Sequence, residues 1–175
     1  FMAGCTPGSC RSSSSAASVV YKIQDAIDAL LGHGANVHAR SVVRPQYVKS
    51  EKVQDSHPAY KYWIAQGGNT ALMFAARSGD RRSAQLLVEA GSDVNDLSAF
   101  GTSPAMMAVH GGNSELLDYL LENGADPDLN RSGQTALHDA VLRGNPEAVK
   151  VLIKHGADLE AVLESPTPTR RQSTD

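Results

Sequence analysis

The chain has 175 residues, 41% of them apolar and 20% charged, which is enough apolar material for one folded domain. Its formal net charge of −3 gives no electrostatic basis for a nucleic-acid or anionic-membrane partner, and no stretch approaches the roughly 18 consecutive apolar residues of a membrane-spanning helix. Cys5 and Cys10 are the only cysteines, both in the polar head, where they cannot staple the rest of the chain.

Residues 1–18 are small and polar, with a Ser12–Ser15 run, and read as a disordered head or a tag or vector remnant. Met2-Ala3-Gly4-Cys5 is similar to the end of a lipoprotein signal, but the apolar region such a signal requires does not precede it. Residues 19–31 place Ile23, Ala26, Ile27, Leu30 and Leu31 at helical spacing and predict a helix with one apolar face. It ends at a loop phrase, Gly34-Ala35-Asn36-Val37-His38. Residues 41–66 then interrupt the pattern. Tyr47, Tyr60, Tyr62 and Trp63 are concentrated there, so the segment is expected either to pack back against the domain or to present an aromatic contact patch.

From Gly68 onward two phrases alternate. Gly68-Asn69-Thr70-Ala71-Leu72-Met73-Phe74-Ala75-Ala76 returns as Gly101-Thr102-Ser103-Pro104-Ala105-Met106-Met107-Ala108-Val109 and as Gly133-Gln134-Thr135-Ala136-Leu137-His138-Asp139-Ala140-Val141, at intervals of 33 and 32 residues. The loop phrase returns at the same intervals, at Gly91, Gly124 and Gly156. Thr70, Ser103 and Thr135 stand where a hydroxyl caps a helix, Pro104 suits a first helical position, and Gly79, Gly112 and Gly144 mark where each short helix stops. The runs Ser83–Glu89, Glu115–Glu122 and Glu147–Lys154 then give three longer amphipathic helices. Asp93, Asp126 and Asp158 recur as turn residues bonding their own backbone. One such helix pair cannot bury its apolar stripe alone, so the units must stack, with Leu120 facing a neighbouring unit. Residues 165–175, Pro- and Thr-rich with an Arg170-Arg171 pair, read as a flexible tail.

These phrases resemble the ankyrin repeat, whose signature is a period of 33 with a Thr-Pro-Leu-His-x-Ala turn. Leu137-His138-x-Ala140 keeps the Leu-His pair, whereas Met73 and Met106 replace the histidine in the two earlier copies. The resemblance implies an all-α solenoid of stacked helix-turn-helix units with β-turn or loop fingers and one long inserted loop. The ankyrin repeat domain spans 19–164, divided into a half repeat 19–40, the insertion 41–66 and repeats 67–99, 100–131 and 132–164. The tail is loosely similar to Thr-Pro-x-Arg-Arg-x-Ser segments in ankyrin proteins of environmental bacteria, where further repeats follow.

No motif for catalysis, metal or cofactor is present, and the six histidines show no metal-ligand spacing. His138 is expected in the turn network of its repeat, and His33 and His155 against the negative ends of helices. The resemblance implies instead a protein partner docked on the concave side, over the loop tips and first helices. Mapped onto this chain, that side comprises Gln66, Asn69, Arg77 and Ser78, then Leu97, Phe100, Thr102 and His110, then Arg131, Gln134, Leu142 and Arg143. Phe100 and Leu142 are the candidate anchors, flanked by Arg77, Arg143 and His110, with Tyr60, Tyr62 and Trp63 of the insertion as a second contact. Three readings stand: a protein-interaction scaffold; an accessory segment of a larger, exported bacterial protein; and, remotely, an enzyme with a site around His57 and Trp63. Apolar flanks at 19–31 and 148–153 also admit end-to-end self-association.

Overall fold

A computed structural model describes residues 24–49 and 61–163. The chain divides into two compact units, Phe1–Ala35 and Asn36–Asp175. The predicted head, the tail and Tyr60 lie outside the described residues. In the first unit a helix, α1, runs over 24–32 and closes with Ala35 N–H donating to the Leu30 carbonyl beside a left-handed Gly34.

The second unit holds three helix pairs: α2 Ala71–Ser78 with α3 Arg81–Glu89, α4 Pro104–Gly111 with α5 Ser114–Glu122, and α6 Ala136–Leu142 with α7 Pro146–Lys154. Each first helix starts after the predicted hydroxyl residue, with nearly the same backbone angles at Thr70, Ser103 and Thr135. Each ends at or just before its predicted glycine, and Gly79 and Gly112 are left-handed. Asp80 and Asn145 cap α3 and α7 by accepting from Ser83 and Ala148 N–H.

First helices stack on first helices, α2 on α4 on α6, and α5 packs on α7. The core runs along this stack through Leu72, Met73, Val109, Leu116, Leu117, Leu120 and Leu152, all essentially without solvent exposure. Alanines at 76, 84, 105, 108, 136, 140 and 148 are as deeply buried, and their small side chains let neighbouring helices approach closely.

Between the repeats of the second unit, fingers of chain are tied backbone to backbone. Ala99 N–H donates to the Gly67 carbonyl, and a Cβ on Gly101, whose φ is +86, would stand 2.7 Å from the Arg131 carbonyl carbon. Only glycine fits there, on both counts. Side chains repeat the tie one layer out. Asn95 donates to the Gly124 carbonyl and accepts from Asp126 N–H, and Asp128 accepts from Asp158 N–H. Asp93, Asp126 and Asp158 each accept from the N–H two residues on, as their turn role predicts.

The insertion differs from the long loop expected. It carries an antiparallel hairpin, β1 Arg44–Lys49 and β2 Lys61–Gln66, in register from Arg44↔Gln66 to Lys49↔Lys61. Its base continues into the finger: Ser41 and Asn69 are joined by backbone, and Arg40 bridges Thr70. The physical reason is composition, since Tyr47-Val48 and Tyr62-Trp63-Ile64 are strand-favouring residues facing each other in sequence, and Pro45 is tolerated in an edge strand.

Candidate partner-binding cleft

The first helices are covered on one side by the core and open on the other. On α2 the open positions are Phe74, 54% exposed, and Arg77, three residues on. The repeat carries the same two positions to Met107 and His110 on α4, and to Asp139 and Leu142 on α6. Two rows of matching positions therefore run across the repeats, Phe74–Met107–Asp139 and Arg77–His110–Leu142, with Asp139 buried at the end of the first.

Above these rows stand the finger tips. Ser98–Gly101 is a tight turn in which Gly101 N–H donates to the Ser98 carbonyl, and the buried Ser98 hydroxyl accepts from Thr102 N–H. Together with the bond from Ala99 to Gly67, this holds Phe100 outward at the tip, 48% exposed. Arg40 fixes the preceding residues, donating to the Leu97 carbonyl at 2.6 Å and pairing with Asp96. The anchor is thus presented on a turn with few ways to move.

Helix face, finger tip and hairpin base enclose a cleft of about 230 Å3 lined by Ile64, Gln66, Gly67, Asn69, Arg77, Ser98, Phe100, Thr102 and Met107. Of the residues mapped from sequence, Gln66, Asn69, Arg77, Phe100 and Thr102 come together here. Thr102 corrects the mapping in part: it is buried, forming floor, because the turn consumes its backbone N–H. Leu97 is half-buried beneath Arg40, and Gln134 is half-buried with its carbonyl accepting from Ser132. Leu142, 71% exposed, and Arg143 lie on the next unit and do not line the cleft. His110 is engaged across units, its Nε2 against the Asp139 carboxylate. Only the backbone of Tyr62 and Trp63 is described, so the proposed aromatic patch lies outside the described side chains.

Sequence reasoning missed Phe74, Met107 and Ile64. Phe74 and Met107 fall inside apolar runs of the repeated phrase, yet they sit three residues before Arg77 and His110 on the same helix face, which is the available signal.

A second cleft, about 550 Å3, lies between the helix turns at Gly79 and Gly112 and the helices α5 and α7. Its acids are already partnered: Glu115 with Arg81, Glu147 with Lys150, and Asp118 with Lys154 and His155. The bond from Lys154, and then that from His155, holds the Asp118 carboxyl below its ordinary range. His138 occupies its expected place, since its Nδ1 accepts from Thr135 N–H and the Thr135 hydroxyl accepts from His138 N–H, a reciprocal capping box. Among the described residues no group of three or more His, Cys, Asp or Glu is arranged to hold a metal ion, and no helix is long and apolar enough to cross a membrane.

Stacked helix pairs with backbone-tied fingers and an open face on the first helices define a repeat scaffold. A family model for ankyrin repeats in three copies matches residues 72–162, and the chain belongs to the ankyrin repeat family. It is 36% identical over 107 residues to the rat ankyrin repeat and SAM domain-containing protein 6, covering 60% of this chain and 12% of that one. It is 40% identical over 73 residues to the mouse protein phosphatase 1 regulatory subunit 12A, 41% of this chain and 7% of that one. It is 35% identical over 83 residues to the lin-12 protein of Caenorhabditis elegans, 46% of this chain and 6% of that one. The chain thus spans a small fraction of each of these relatives. Repeats of this family generally mediate protein–protein interaction, and the comparisons indicate no catalytic family.

Proposed function

We propose that the chain is a protein-interaction scaffold whose partner docks over the first helices and finger tips, centred on the cleft between Arg77 and Phe100. The observation that carries this reading is a large aromatic ring held outward by a fixed turn, beside a guanidinium whose charge no acidic side chain among the described residues meets. An aromatic ring left in water is disfavoured, and aromatic and arginine side chains dominate binding energy at interfaces. The larger cleft offers no equivalent, because each of its acids is partnered within the chain.

The test is a pull-down with the wild-type chain and with a Phe100→Ala/Arg77→Ala double variant. A partner held by the first should be lost from the second, and unchanged retention of every partner would sink the assignment. The three relatives reported are animal proteins far longer than the matched region, which supports reading the chain as a segment serving a larger protein and lends nothing to a bacterial or exported origin. The enzyme reading gains no support from the described residues, His57 lying outside them. Self-association through the outer face of α6 and α7 stands as a further proposal, resting on the exposure of Val141 and Ile153. Sedimentation at two concentrations tests it, and an unchanged mass would refute it.

A further inference from the structure

We infer that the Arg77–Phe100 cleft takes an extended segment of a partner protein that presents one apolar side chain immediately beside an Asp or Glu carboxylate. The inference rests on the scaffold reading above and adds the chemistry of the partner.

Size comes first. At about 230 Å3 the cleft falls below the roughly 300–1,000 Å3 of a pocket that encloses a drug-sized molecule, and suits one or two side chains of a docked chain. The apolar contribution comes from three elements that the fold brings together: Phe100 from a finger tip, Ile64 from β2 and Met107 from α4. Methionine and a ring edge make an adaptable surface for an aliphatic or aromatic side chain.

Charge decides the rest. Among the described residues, Arg77 is the only charged one lining the cleft. Its place in the last turn of α2 accounts for a cation there, through the negative end of the helix, and among the described residues no ion pair engages the guanidinium. Asp96 is paired with Arg40 and Asp139 with His110. On the neighbouring unit Arg131 and Arg143 are exposed and likewise meet no acid among the described residues. A chain of net charge −3 therefore turns a locally cationic face to its partner. A carboxylate can engage Arg77 bidentately while its neighbouring side chain enters the cleft against Phe100, and the amide side chains of Gln66 and Asn69 line it beside the incoming backbone.

The experiment is selection of a random dodecapeptide phage library on the immobilised full chain, followed by fluorescence polarisation of the selected peptides, synthesised with a label. Recovered peptides should place Asp or Glu next to an apolar residue. Arg77→Glu and Phe100→Ala should each weaken their binding by about tenfold or more, while Arg82→Glu, an exposed change on α3, leaves it unaltered. Replacing the peptide carboxylate by Lys should abolish binding to the wild type. Peptides that depend on Phe100 but lack an acid overturn the proposed chemistry and leave the docking face standing. Peptides whose affinity stays within about twofold in both variants overturn the docking face as well. Recovery of no peptide at all counts against both.

Discussion

Ser92 occupies the position that Ala125 and Ala157 hold in the next two units, and all three are buried. The alanines have nothing to satisfy there, whereas the Ser92 hydroxyl has no hydrogen-bond partner among the described residues. Ser92→Ala should therefore raise stability by about 1 kcal/mol, read by chemical denaturation, and a loss would mean that the hydroxyl has found a bond. Thr70 makes the complementary case. Its hydroxyl is also unpartnered, while Thr135 exchanges bonds with His138 in the same register. A Met three places on is not by itself the cause, since the Ser103 hydroxyl accepts from Met106 N–H at the same place. Thr135→Val should cost about 1–2 kcal/mol, whereas Thr70→Val should be close to neutral. Met73 and Met106 stand where the third copy has His138, yet the backbone angles at the three caps are nearly the same, so the turn does not depend on the histidine.

At the scale of elements, the repeat supplies its own controls. Leu120 on α5 is fully buried between neighbouring units, and Leu120→Ala should cost about 2–5 kcal/mol in thermal or chemical unfolding. Ile153 on α7 stands in register with Leu121, yet is 49% exposed where Leu121 is 6% exposed. Ile153→Ala should therefore cost well under half as much, about 1 kcal/mol or less, since little is uncovered by truncation. Between the same two helices, Asp118 accepts from Lys154 at 2.9 Å and from His155 at 2.6 Å. Its folded pKa lies below the ordinary aspartate value, so the stability it contributes is full above that value and is lost as pH falls through the lowered one. Asp118→Asn should flatten the acid limb of a stability–pH curve below about pH 4, and an unchanged limb would place the acid sensitivity elsewhere. The helices, caps and turn aspartates were legible because each rests on neighbours in sequence. The Asp118 bond to His155 was not, since its partners are 37 residues apart and His155 at a helix end already had a sufficient local explanation. The hairpin was missed for a related reason: its aromatic residues, expected either to pack back against the domain or to present a contact patch, lie on two strands that pair across the insertion, Tyr47 opposite Trp63.

Over the second unit as a whole, stability depends on how many faces of each helix pair are covered. The α4–α5 pair is packed by α2 on one side and by α6 and α7 on the other. The α6–α7 pair leaves Val141 63% and Leu159 66% exposed, where the matching Val109 and Pro127 are 1% exposed and half-buried. In a linear array each unit draws on its own folding and on its interfaces, so the pair with the poorer interfaces must open more often. Amide exchange followed by mass spectrometry should show α6 and α7 opening at least about tenfold more readily than α4 and α5, a gap of about 1.4 kcal/mol. Leu120→Ala weakens the junction of α5 with α7 and should accelerate exchange in both pairs, most in α6–α7, while the fingers around Phe100, tied to Gly67 and Arg40, change least. Equal protection across all six helices would mean that the unit opens as one body. Its docking face would then be lost only on global unfolding. With the expected gradient, Leu142 and Arg143 lie on the pair that opens first, while Phe100 and Arg77 remain on the better-supported part, which makes the cleft between them the lasting part of the binding face.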